Sequence, residues 1–472
     1  MSTESTIESF RQQQPPPLAP RPLNLPERAE ATLANGLRVV FLEQRRLPLI
    51  SLRLAFRTGD AHDPPELPGL TDVMAVMLNE GTQTRTSREI ADEAARIGAT
   101  LSAGSNSDYM TVAASALTQF TAEILELLAD VVLHPSFPED ELELTKQNAL
   151  QNLIAQRGQP AFLANERMAR VIYGAHPYAV VSSTPESIGA ITRARLMEFH
   201  RAAFIPNNAV LVIGGDVDRA HVLALLERLF GAWPAGVVQT HAFPAPPVRD
   251  RRAAYIVDRP GSAQSNIVVA NAAIPRTHPD YFPLLLMHTI LGANASSRLF
   301  MNLREEKGYT YGAYTNLDAR RDAGTFRATA EVRTPVTGAS LKEFFYEFTR
   351  IRAELVSEQE LKDAQAYLTG IFPIRLETID GLIDQLLQIK LFDLPDDYLL
   401  TYREHVQAVT RDDVQRAARA YVTPDEAAVV VVGDAAEITG QVREFATEIE
   451  FYDSMGQRKQ AAATNKGGDD GQ

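Results

Sequence analysis

The chain contains a repeat of its own sequence. Residues Phe199–Phe230, FHRAAFIPNNAVLVIGGDVDRAHVLALLERLF, resemble Ala418–Ala446, ARAYVTPDEAAVVVVGDAAEITGQVREFA, with Pro206 against Pro424 and Asp216 against Asp434, both pairs 218 residues apart. In each copy a short helix, a proline-marked turn, a buried apolar strand and a glycine stop follow in that order. One repeat of so long a period is a duplicated domain, since solenoid units run to about 20–50 residues. A chain of 472 residues also exceeds what one ordinary core needs. Two similar halves are therefore expected, residues 28–232 and 253–453, joined by the linker 233–252 with Pro244, Pro246 and Pro247. The Gln- and Pro-rich stretch 1–27 and the polar, glycine-rich stretch 454–472 read as disordered tails.

Within each half two periodicities alternate. Leu37–Leu42, after the Asn35-Gly36 turn, Ile50–Phe56 and Ala209–Ile213 read as strands. Helical spacing marks Ile124, Leu127, Leu128 and Val131, and again Leu341, Phe344, Phe345, Phe348 and Ile351, a stripe that belongs to a core. Strands and helices mixed without strict βαβ alternation predict α+β halves, each a sheet covered by helices.

A net charge of −14 argues against nucleic acid, whose phosphates need a basic face. The absence of cysteine removes thiolate nucleophiles, disulfides and Cys-ligated metals together. No basic n-region with an apolar h-region opens the chain and no apolar run reaches spanning length, so the expectation is a soluble cytoplasmic protein, or a periplasmic one had a leader been trimmed. No two of the nine histidines lie closer than ten positions (His278 to His288), so no local two-histidine metal motif exists. Nor is there a Gly-x-Ser-x-Gly elbow or a P-loop.

The segment Leu67–Thr82, LPGLTDVMAVMLNEGT, places Leu70, Val73, Met74 and Met77 on one helical face. Its ending resembles the helix of pitrilysin/insulinase-type zinc peptidases, where His-x-x-Glu-His precedes a similar Met-Leu-x-x-Gly-Thr. That motif sets two imidazoles four residues apart on one face, at zinc distance, with a general base beside them. This chain has Asp72, Ala75 and Val76 at those three places, and the family's third ligand, a Glu on a later helix, corresponds to Asn152 in Glu141–Leu153. Two ligands and the base are missing, and a neutral amide is a poor zinc ligand.

A second motif survives. In Ser296–Thr315, SSRLFMNLREEKGYTYGAYT, a helical run ends at Gly308 and a strand-like alternation of Tyr309, Tyr311 and Ala313 follows. Arg304 and Tyr311 match the family's Arg, six residues, Tyr, a pair whose guanidinium and phenol can donate hydrogen bonds to a peptide carbonyl and to the oxyanion formed from it. Ser297-Arg298-Leu299, Tyr173–Ala179 (YGAHPYA), Leu394–Leu399 (LPDDYL) and the two Val-x-x-Gly-Asp strand ends extend the resemblance from Leu37 to Asp434. His176 and Arg298 in those motifs read as structural.

The resemblance, on the branch of the mitochondrial processing peptidase, implies a clamshell of two such chains. This one would be the zinc-free subunit of a heterodimer, inactive alone, giving Arg304 and Tyr311 to a homologous His-x-x-Glu-His partner that holds Zn2+ and cuts unstructured peptides. Peptides in that family add to a sheet edge, here Leu101–Asp108. The rival expectation is a purely structural subunit, like the core subunits of the respiratory cytochrome bc complex.

Overall fold

The computed structural model describes residues 22–459. The tail assignments at 1–21 and 460–472 lie outside the described residues. Two sheets form the framework. The first runs β1-β2-β6-β3-β5-β4, from Arg28–Thr32 (β1), Arg38–Glu43 (β2), Leu49–Phe56 (β3), Thr100–Ser105 (β4), Met110–Leu117 (β5) and Ala209–Gly215 (β6). The second runs β13-β12-β7-β11-β8-β10-β9, from Ala253–Asp258 (β7), Gln264–Ala273 (β8), Thr310–Ala319 (β9), Gly324–Arg333 (β10), Ala428–Gly433 (β11), Glu448–Tyr452 (β12) and Arg458–Lys459 (β13).

Five strands correspond in order and direction. β2 lies parallel to β6 as β7 does to β11, and the remaining pairs out to β4 and to β9 are antiparallel. β6 and β11 are buried along their whole length, which is why both read as unbroken apolar runs. The expected α+β halves, each a sheet with helices, are thus present. The aromatic stripe of Leu341, Phe344, Phe345, Phe348 and Ile351 is buried in helix Thr337–Ala353.

The halves exchange a helix. Pro160–Tyr173, from the first half of the sequence, packs on β8 and β11, while Ile379–Leu391, from the second, packs on β6 and β3. Gly214 makes the second contact possible, since a Cβ there would stand 2.7 Å from Ile379 Cδ1 and 3.1 Å from Ile383 Cδ1. A left-handed residue follows each exchanged helix, Gly174 at φ 58° and Asp393 at φ 52°. Asp393 tolerates that backbone and also grips Arg57 of the first half with both oxygens, at 2.8 and 2.9 Å. One apolar cluster therefore contains Val40, Val210 and Val212 together with Ile383 and Leu386.

Four assignments from sequence change. Residues 454–459 are ordered as a hairpin on the second sheet: β13 closes on β12, and the turn between them is held by Arg157, which donates to the Ser454 carbonyl at 3.1 Å, and Arg167, which donates to that of Gly456 at 2.7 Å. In the described part of the other tail, Leu23 and Leu25 pack against the core. The linker begins with a core residue, Trp233, whose indole N–H donates to the Phe204 carbonyl at 3.0 Å. In the repeat, Asp218 and not Asp216 shares the helix-capping role of Asp434, because Asp216 is drawn to the Leu49 carbonyl by its own N–H.

Candidate functional site

Two faces carry the residues singled out by sequence. The first is a cleft of ≈ 450 Å³ between helix Leu70–Met77 and helix Glu139–Arg157. Asp63 fixes the start of the first helix, accepting the N–H groups of Gly69 and Thr71 at 2.8 and 3.0 Å. Leu70, Val73, Met74 and Met77 are buried, as their spacing predicts. Asp72, Val76 and Asn152 all line the cleft, so the fold brings three of the four degenerate positions together. Ala75 is 3% exposed and belongs to the core beneath.

That donor set does not fit zinc. It offers one carboxylate, an isopropyl group and a neutral amide where nitrogen, sulfur or carboxylate donors are needed. The carboxylate is already engaged, since the Ser105 hydroxyl at the end of β4 donates to Asp72. Asp60 stands beside this pair, and burial, reinforced by the Asp72 charge, pushes its carboxyl up to about 6. Among the described residues no group of three or more His, Cys, Asp or Glu side chains could hold a metal ion. The histidines meet at one place, His62 and His241, whose ring centroids are 5.0 Å apart. β4 is an open edge of its sheet, directly beside the cleft.

The second face lies in the other half, at the edge strand β9 that corresponds to β4. Helix Arg298–Phe300 continues into a π-helical turn, Met301–Glu306, with the Lys307 N–H donating to the Asn302 carbonyl at 3.0 Å. The turn stops at Gly308, φ 64°, where the Gly308 and Tyr309 N–H groups donate to the Arg304 and Leu303 carbonyls as a nested pair one residue wider than a Schellman motif, as the π-helical turn requires. Sequence anticipates this stop but not the π-helical turn. In β9 a bulge sets Tyr311 and Gly312 against the single residue Glu331 of β10. Without it Tyr311 would share the inward face of buried Ala313. With it, Tyr311 is 91% exposed.

Arg304 is half-exposed, its guanidinium 4.8 Å above the Phe300 ring and Nε 3.5 Å from the Glu305 carboxylate. Phe300 in turn packs on Tyr314, with ring centroids 5.5 Å apart. Tyr314 lies across Gly312, where a Cβ would come within 2.5 Å of its ring. Arg304 and Tyr311 are thus connected through Phe300, Tyr314 and Gly312 on the rim formed by the turn and the edge strand β9. The Phe300–Arg304 spacing of four on a helix is the signal in sequence that points to this support. Tyr311 projects from its own half, whereas Arg304 rests on Phe300 and Glu305 and keeps about half of its side chain exposed, so that both carry donors that face outward.

The other motif residues hold the frame. His176 is buried against Tyr173, Tyr178 and Phe243, and its Nδ1 accepts the Tyr178 N–H at 3.1 Å. Tyr178 donates to Asp108 of the β4–β5 turn, whose other oxygen accepts the Arg321 N–H at 3.2 Å, tying the halves together. Arg298 is buried in a two-pronged pair with Glu360, at 2.7 and 3.2 Å.

Comparison with known proteins agrees with this architecture. Residues 38–180 match the family model described as insulinase (peptidase family M16), and residues 190–368 the model described as peptidase M16 inactive domain. The chain is 22% identical over 406 residues, 85% of its length and 97% of the relative's, to an uncharacterized zinc protease, YmxG, of Bacillus subtilis (strain 168). It is also 22% identical over 401 residues, 84% of its length and 91% of the relative's, to a protein of Helicobacter pylori named non-peptidase homolog YmxG. Among solved structures, a peptidase M16 inactive domain from Pseudomonas fluorescens superposes with TM-score 0.81 at 28% identity, covering 86% of this chain and 98% of that one. A protease from Helicobacter pylori gives 0.80 at 19% identity, over 87% and 100% of the two chains.

Proposed function

This chain belongs to the insulinase family, peptidase family M16, and from that premise we propose that it is the zinc-free subunit of a heterodimeric metallopeptidase, lending Arg304 and Tyr311 to the active centre of a homologous His-x-x-Glu-His partner. The observation that carries the reading is the contrast between a cleft whose family ligand positions hold Asp72, Val76 and Asn152 and a projecting Arg–Tyr rim. A cleft lined by Asp72, Val76 and Asn152 has no Lewis acid to offer, whereas Tyr311 at 91% exposure is positioned to reach outside its own chain.

In the proposed pair the partner's zinc supplies the polarised carbonyl and the activated water. The Arg304 guanidinium and the Tyr311 phenol donate to the substrate carbonyl oxygen as negative charge grows on it, and so favour the transition state over the bound peptide. Neither acts as a nucleophile. Extended peptides suit the open edges β4 and β9, whose unpaired backbone groups accept a further strand. No described helix is long and apolar enough to cross a membrane.

The test is reconstitution. The purified chain alone is expected to show no peptidase activity, and mixing with a zinc-motif subunit from the same genome to restore it. In that complex Arg304→Ala or Tyr311→Phe lowers turnover by about 10²-fold, the usual effect of removing one oxyanion donor, while the subunits still co-elute. An unchanged turnover would assign the chain a scaffolding role instead, and chelator-sensitive activity of the isolated chain would end the proposal.

A further inference from the structure

Against the π-helical turn, lined by Met301, Asn302 and Glu306 but by neither Arg304 nor Tyr311, lies a cavity of ≈ 280 Å³ for which the proposed peptidase role has no use. Its size is near the lower end of the roughly 300–1,000 Å³ typical of ligand sites, enough for one small molecule or one residue. Three buried polar groups at its floor lack hydrogen-bond partners: Arg298 Nη1, Asn302 Oδ1 and Glu347 Oε2. Each residue is at most 9% exposed. Their other atoms are satisfied. Arg298 grips Glu360 through Nε and Nη2, and the Asn302 amide donates to Glu343 and Glu347, each at 3.0 Å. The nearest cation to Glu347 Oε2 is Arg350, at 3.6 Å, beyond hydrogen-bond range.

Leaving a buried polar group without a hydrogen bond is costly, so three together at one cavity ask for a ligand. They also state its chemistry. The free Arg298 N–H needs an acceptor, best a carboxylate, and the free oxygens of Asn302 and Glu347 need donors, best a cation. Glu306 and Asp363 at the rim outweigh Arg350 and add negative potential. We propose that this cavity binds a small cation that also carries a carboxylate, the chemistry of a free basic amino acid or of the basic C-terminal residue of a peptide. The carboxylate lies on Arg298 and the cationic group between Asn302 and Glu347, with the second cationic group of a basic amino acid toward the acidic rim. Because Asn302 also anchors the π-helical turn through its carbonyl, an occupied cavity stiffens the segment that carries Arg304.

The site belongs to this chain alone and does not rest on the heterodimer. Calorimetric titration of the isolated full chain uses three probes: L-arginine, Nα-acetyl-L-arginine, which imitates a C-terminal residue, and L-argininamide, which lacks the carboxylate. Saturable binding of arginine with Kd of about 1 mM or tighter is expected, with argininamide at least about tenfold weaker. Tighter binding of the acetylated probe than of the free amino acid identifies a peptide terminus as the source; the reverse identifies a free amino acid. Glu347→Gln weakens arginine about tenfold, and Asp363→Asn, at the exposed rim where folding is not at stake, by about twofold to threefold. At ten times Kd, amide exchange at Lys307 slows by about tenfold. No saturable binding of either carboxylate-bearing probe, or equal affinity for argininamide, overturns the proposal.

Discussion

The cleft beside β4 and the cavity near β9 occupy the same place in the two copies of one plan. Each lies against a helix that follows β3 or its counterpart β8 and packs along the sheet edge, Leu70–Met77 in one half and Tyr281–Gly292 in the other, and against the long helix Glu139–Arg157 or its counterpart Glu358–Arg375. The backbone plan is shared, but the chemistry is not. The first keeps an open space with Asp72, Glu80 and Glu141 along its wall and no cation among its lining residues, while the second sets Arg298 against Glu360 beside its cavity and continues through a π-helical turn to the half-exposed Arg304. Duplication fixes where a surface sits, and side-chain identity, free to drift on a stable backbone, decides what it does.

The comparison is sharpened most by restoring what the first half lacks. Because Asp72, Val76 and Asn152 line one cleft, the triple change Asp72→His, Val76→His, Asn152→Glu is expected to take up about one zinc ion per chain, measured by metal analysis after dialysis, where the unaltered chain retains none. Failure of the triple variant, if folded, would show that the helices have moved apart as well as lost their donors. A smaller effect tests the helix exchange. Ile383→Ala removes a buried side chain of the second half that packs near Gly214 of the first, and is expected to cost about 2–5 kcal/mol in denaturant unfolding. Unfolding should remain one transition; two transitions, with only the second half weakened, would break the claim that the halves share a core.

The smallest effect is electrostatic and has opposite signs in the two halves. Asp60 in the first is raised to about 6 by burial and the Asp72 charge, so the folded state holds its proton more tightly than the unfolded chain. Its contribution to stability is full below about 4 and is lost as pH rises through about 6. Glu360 in the second goes the other way. Burial alone would raise it, but hydrogen bonds from Arg298 and the Ser357 N–H outweigh burial and leave it at about 2. Its contribution is present above about 4.5 and is lost as pH falls toward 2. Carboxyl NMR titration should place the two midpoints on opposite sides of the ordinary carboxylate range; two unshifted midpoints would remove this distinction between the halves.

Much of the plan was legible from local pattern. The strands at Leu37–Leu42, Ile50–Phe56 and Ala209–Ile213, the helices over Ile124–Val131 and Leu341–Ile351, and the stop at Gly308 all follow from periodicity and turn chemistry. The bulge at Tyr311–Gly312 was not legible, because an unbroken alternation from Tyr309 to Ala313 gives no sign of which residue the partner strand will skip. The hairpin at Arg458–Lys459 was hidden for a related reason, a two-residue strand being too short to show a period. The support of Arg304 by Phe300 could have been read from their spacing; its continuation to Tyr314 required the strand to turn back.

By itself the sequence determined that the body is a duplicated α+β unit and that it contains no His-x-x-Glu-His motif, because both facts reside in the order and identity of residues along the chain. Only the tertiary structure decided that the halves trade helices, that Tyr311 faces outward, and that Arg298, Asn302 and Glu347 share a cavity. Those outcomes depend on which distant surfaces meet and on what each buried polar atom finds there, and a pairing between residues tens or hundreds of positions apart leaves no periodic trace in either segment.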